Sequence, residues 1–104
     1  MPNVNFDFHN ATAANVNLIN YMPAAGWIQA PPAMLPAFAG VPAQAIFADT
    51  GTAIVITYDP NADAHNVLFL PATAVAPASV DATANVNAVI QPNGADYDVT
   101  LTFL

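Results

Sequence analysis

Polar and apolar residues alternate most cleanly at the two ends of the chain. From Asn3 to His9, Val4, Phe6 and Phe8 take one side, and Asn3, Asn5, Asp7 and His9 take the other. Near the C-terminus, Tyr97, Val99, Leu101 and Phe103 alternate in the same way with Asp96, Asp98, Thr100 and Thr102. Successive side chains of a strand point to opposite faces, so a period of two with one apolar set predicts a half-buried strand at each end. Terminal strands of this kind are expected at a sheet edge.

The interior of the chain is less regular. Asn15 to Tyr21 carries Val16 and Leu18 on one side, then Ile19 and Tyr21 on the other, and this change predicts a bulge near Asn20. Gln44 to Asp49 reads as a short strand on Ile46 and Phe47. Ala53 to Tyr58 is apolar on both faces through Ile54, Val55, Ile56 and Tyr58, which predicts a central strand covered on each side. His65 to Leu70 sets Val67 and Phe69 opposite Leu68 and Leu70, and Asn85 to Gln91 carries Val86, Val89 and Ile90. Turn chemistry separates these runs at Asn10-Ala11-Thr12, Asp49-Thr50-Gly51-Thr52, Asp59-Pro60-Asn61-Ala62-Asp63 and Pro92-Asn93-Gly94. Pro71 to Thr83, rich in Ala and Pro, reads as a long surface connection between sheets.

Gly26 to Pro36 holds the only Trp and the densest proline. Trp27 and Ile28 can end a strand in the core. Pro31, Pro32 and Pro36 lack the N–H that a central ladder needs, so the chain must leave its sheet there as a stiff crossover. Altogether the pattern predicts an all-β chain: a single antiparallel β-sandwich of about eight short strands, forming one domain over residues 1–104, with a closed barrel as the alternative.

Composition narrows what such a domain can do. The 104 residues include no Lys, Arg, Glu or Cys, and the net charge of −7 comes entirely from seven Asp. Binding to nucleic-acid phosphates relies on Lys and Arg, so nucleic acid is excluded as a partner class, and anionic membranes are disfavoured for the same reason. Without Cys there is no disulfide to indicate a compartment. No basic N-terminal region precedes an apolar run, and the prolines interrupt any candidate bilayer span, so the chain reads as soluble and unanchored. An extracellular or cell-surface location then requires a removed leader or leaderless export. A surface of Asn, Thr and Ala, with no lysine to guard its strand edges, favours association between copies.

Candidate chemistry is sparse. Asp59, Asn61 and Asp63 have the alternate spacing of a calcium loop, but Ala64 replaces the glycine of an EF-hand and Leu70 its bidentate glutamate. Calcium is therefore the one cofactor worth testing, against a plain reading of turn chemistry. Asp7-Phe8-His9-Asn10 and Asp63-Ala64-His65-Asn66 each set a carboxylate two residues from an imidazole, a spacing that two strands could combine into a metal site. Nucleophilic catalysis has only Ser79, with no glycine elbow beside it, so the chain is expected not to be an enzyme. Asn10-Ala11-Thr12 is also a glycosylation acceptor sequence. Three Asn-Val-Asn pieces, at 3–5, 15–17 and 85–87, place Asn on outward strand positions where it could pair laterally between stacked subunits.

The early Asn-Ala-Thr turn, Gly-Trp followed by Pro-Pro-x-x-Leu-Pro, the Thr-x-Ile-x-Ile-x-Tyr strand and the closing Gly-Ala-Asp-Tyr-Asp-Val-Thr-Leu-Thr-Phe-Leu resemble small aegerolysin-like and actinoporin-like β-sandwiches. That resemblance implies a non-catalytic domain that recognises membrane lipids or surface glycans, with Tyr21 and Trp27 as its candidate lipid contacts, residues that the pattern would equally allow in the core. The chain departs from the pattern in lacking every basic residue. The residues taken alone favour a homo-oligomeric structural protein that assembles through edge strands into a fibre, coat or matrix. Val4, Phe6 and Phe8 of the first strand are the residues expected to be donated to a neighbouring subunit.

Overall fold

The computed structural model describes residues 2–38, 43–59 and 64–104. Among these residues it is all-β, with ten strands: β1 (Val4–Asn10), β2 (Val16–Met22), β3 (Trp27–Gln29), β4 (Met34–Leu35), β5 (Ala43–Phe47), β6 (Ile54–Asp59), β7 (His65–Leu70), β8 (Ser79–Ala82), β9 (Val86–Asn93) and β10 (Asp96–Phe103). They form two five-stranded sheets, ordered β3-β5-β1-β10-β9 and β4-β2-β6-β7-β8. The count exceeds the expected eight because β4 forms inside the proline stretch and β8 inside the Pro71 to Thr83 connection. Both are too short to show a period.

The ladders are antiparallel with one exception. β1 runs parallel to β10, Val4 opposite Tyr97 through Asn10 opposite Phe103. The terminal strands are therefore adjacent and lie inside the first sheet, with β5 on the other side of β1 and β9 on the other side of β10. This corrects the expectation that they stand at edges. Alternation reports which face of a strand is wet, whereas edge position depends on backbone pairing, to which alternation is blind.

Val4, Phe6, Phe8, Val99, Leu101 and Phe103, all at most 1 % exposed, turn inward from this parallel pair. From the second sheet Val16, Leu35, Ile54, Ile56, Tyr58, Val67 and Phe69 join them in one hydrophobic cluster. Phe8 lies edge-on to Tyr58 and Phe103, with ring centroids 5.6 and 6.3 Å apart. Each such ring contributes about 1.5–3 kcal/mol through removal of apolar surface from water. β6 is central in its sheet as predicted, but only its inner side is closed, since Val55 on the outer side is half-buried.

The proline stretch does carry the chain between sheets, since β3 belongs to the first and β4 to the second. The Tyr58 hydroxyl donates to the Pro32 carbonyl at 2.6 Å and fixes the crossover to the core, and burial pushes this phenol well above its usual pKa. Gly26, at φ 101°, sets the entry into β3. A Cβ there would sit 2.9 Å from the Phe47 ring, so only glycine fits. The β2 bulge also falls where expected, with a register shift against β6 between Leu18 and Asn20.

Candidate functional site

Among the described residues, those singled out from the sequence do not all converge on one place, although Tyr21, Trp27 and Phe6 meet. Asn61 and Asp63 lie outside the described residues, and Asp59 closes β6. The histidines of the two carboxylate–imidazole pieces lie in different sheets: His9 is half-buried in the first, whereas His65 turns inward from β7 in the second and stacks on Phe103 at 4.9 Å. Among the described residues no group of three or more His, Cys, Asp or Glu is placed to hold a metal ion.

Asn10 is not available to a glycan. It is 2 % exposed, and its Nδ2 donates to the carbonyls of Ala14, Leu35 and Pro36 at 2.9–3.0 Å. Its Oδ1 accepts from the Thr12 amide at 3.0 Å and the Thr12 hydroxyl at 2.6 Å. The acceptor tripeptide is thus a structural joint, tying the end of β1 in the first sheet to β4 in the second.

Tyr21 and Trp27 are half-buried and packed against the core, edge to face at 5.8 Å and 88°. Trp27 also contacts Phe6 and Phe47, and its Nε1 donates to the Pro23 carbonyl at 2.7 Å. Ile19, Met22 and Ile28, near them along the chain, are exposed. Val4, Phe6 and Phe8 cannot be offered by the folded chain, because they are buried in its own core and β1 is paired on both sides. Donating them to a neighbouring subunit, as expected from the sequence, would require β1 to leave both of its partners in the first sheet.

The outer faces differ in chemistry. On the first sheet, Asn5, Asp7, Gln44, Ile46 and Asp98 line a shallow polar groove. Asp98 is held there by the Asn5 and Asn93 amides at 3.0 and 3.1 Å. On the second sheet Val55, Leu68 and Ala82 form an apolar groove of about 410 Å³, with Asn66, Asp81 and Thr83 at its sides.

The edges are the most uneven feature. Three are short: β3 has three residues, β4 two, and β8 four including Asp81. The fourth, β9, runs for eight residues, Val-Asn-Ala-Val-Ile-Gln-Pro-Asn, with no charge. It pairs with β10 in unbroken register, from Val86 opposite Phe103 to Asn93 opposite Asp96, and the hairpin closes at Gly94, where φ is 62°. The proline and asparagine expected in the turn therefore belong to the strand.

The backbone alternation gives the free side of β9. The Leu104 amide donates to the Asn85 carbonyl and the Tyr97 amide to the Asn3 carbonyl, so even-numbered residues of β10 bond toward β9 and odd-numbered ones toward β1. With the observed register, Asn87, Val89 and Gln91 turn their peptide groups toward β10. Val86, Ala88, Ile90 and Pro92 turn theirs outward. Pro92 has no N–H to offer there, and the Val86 amide is taken by the Thr83 carbonyl at 3.0 Å. The outward donors are the Ala88 and Ile90 amides. One signal in the sequence pointed to this edge: a proline inside a strand pattern belongs at an edge, and Pro92 directly follows the uncharged run.

No family model matches the chain, and no curated protein matches it at a significant level.

Proposed function

We propose that the chain is a non-catalytic structural protein, folded as one β-sandwich from its two sheets, that assembles with copies of itself outside the cell through pairing of an edge strand. The observation that carries this reading is β9, an eight-residue edge without charge in a protein that has no lysine or arginine to guard it. Unpaired edges of this length template further strands unless charge or cover prevents it. The pairing role passes from β1 to β9, because β1 is closed on both sides. A coat, matrix or fibre suits this chemistry, since main-chain hydrogen bonds supply attraction where salt bridges are unavailable.

A second reading, recognition of a membrane lipid or glycan by an aegerolysin-like domain, is favoured by the exposed Ile19, Met22 and Ile28 near Tyr21 and Trp27. The two readings separate in light scattering on the purified protein, with calcium and with chelator. Assembly predicts particles heavier than the 10.8 kDa monomer in plain buffer. A monomer in both conditions, joined to vesicles only when these are added, refutes assembly and supports the second reading. Particles that need calcium would bring Asp59, Asn61 and Asp63 into the mechanism.

A further inference from the structure

We infer that the partner of β9 is the β9 strand of a second copy, paired antiparallel about a two-fold axis at Val89, so that the unit of assembly is a closed dimer. The inference rests on the edge-pairing reading and adds the partner, the register and the symmetry.

Length and charge select the partner. The other edges offer three, two and four residues, and the longest of these carries Asp81, so none matches the eight residues of β9. Another β9 does. Its chemistry also reads the same in both directions about Val89: Asn87 and Gln91 are amides, Ala88 and Ile90 are apolar, and beyond them Val86 and Pro92 have no N–H to give. With Val89 on the axis, the outward amides of Ala88 and Ile90 meet the outward carbonyls of Ile90 and Ala88 in the second copy. The donor-poor positions Val86 and Pro92 then face each other, so that no amide is left buried without an acceptor.

Side chains agree with this register on both faces. On the core face Ala88 and Ile90 are half-buried, and the pairing sets the small one beside the large one of the other copy. On the outer face Val89, 45 % exposed, meets its own copy, and Asn87 meets Gln91. Charge does not oppose it. The row through Asp98 continues as Gln91, then Asn87 and Thr102 of the second copy, so no carboxylate stands beside another. The two first sheets become one continuous sheet. Because the contact is isologous, it closes after two copies, and any fibre or coat must grow from dimers through a different surface.

The chain has no cysteine, which makes the test direct. Facing residues of a non-hydrogen-bonded antiparallel pair have Cα atoms about 4.5 Å apart, within disulfide reach. Val89→Cys is expected to form a disulfide-linked dimer under mild oxidation, whereas Asn87→Cys, facing Gln91, is expected to remain largely uncrosslinked. Val89→Asp, on an exposed face, sets two carboxylates on the axis and is expected to halve the particle mass of the dimer with unchanged Trp27 fluorescence. If the parent protein forms particles but Val89→Cys fails to crosslink, or Asn87→Cys crosslinks equally well, the two-fold register is overturned while edge assembly stands. A parent protein that stays monomeric at all concentrations, with neither variant crosslinking, overturns both.

Discussion

Replacing Asn10 should reveal how much of this fold depends on one buried amide. Its side chain satisfies three carbonyls with Nδ2 and both the amide and the hydroxyl of Thr12 with Oδ1. Nδ2 has two hydrogens, so at least one is shared among the carbonyls. In Asn10→Ala the Thr12 groups can turn to water, because that turn is partly exposed. The Leu35 carbonyl cannot do so as easily, since its bond is buried. Counting about 1 kcal/mol for each of the two net bonds that the Nδ2 hydrogens make and about 1–3 kcal/mol for a carbonyl left dry, the expected destabilisation is about 3–5 kcal/mol. Against a domain stability of about 5–15 kcal/mol this is a large fraction.

Urea unfolding followed by the fluorescence of Trp27, the only tryptophan, reads the change as a shift in midpoint at constant slope. Asn10→Asp sharpens the test. It preserves the acceptor for Thr12 but turns a carboxylate toward three carbonyl oxygens, so it should be less stable than the alanine variant at neutral pH. An alanine variant within about 1 kcal/mol of the parent, or an aspartate variant more stable than alanine, would refute the assignment of Asn10 as the joint between the sheets.

Two further outcomes follow from local geometry. Gly26→Ala adds a Cβ 2.9 Å from the Phe47 ring at φ 101°, and should cost roughly 2 kcal/mol or more, with a changed Trp27 emission spectrum. Asp49 accepts from the Gly51 amide and the Thr52 hydroxyl, each at 2.8 Å, and these bonds, the amide first, hold its pKa below the ordinary carboxylate value of 3.8. Its folded pKa is depressed, so the stabilisation is present above 3.8 and is lost as the pH falls through the folded value. Asp49→Asn should therefore flatten the acid limb of stability against pH, and carbon-detected NMR titration of the parent should place the Asp49 carboxyl below 3.8.

Alternation by itself determined which side of each regular strand is buried: Phe6 and Phe8 inward with Asn5 and Asp7 outward, Leu101 and Phe103 inward with Thr100 and Thr102 half-buried or outward. It also located the β2 bulge, where the apolar set changes sides, while the prolines located the crossover at Pro31 and Pro32, where φ is fixed and no N–H is available. Composition alone removed salt bridges between side chains other than those to a charged histidine. The tertiary structure decided the rest. That β1 lies beside β10, that β9 is left at an edge, and that Asn10 meets Leu35 and Pro36 all depend on pairing between residues far apart in the chain. The peptide groups that make those pairs are the same at every residue except proline. The sequence therefore encodes the face of a strand through its side chains but leaves the strand's neighbours to be settled by how the apolar faces close over one another. Pro92, which lacks the common N–H, is a place where edge position was written locally.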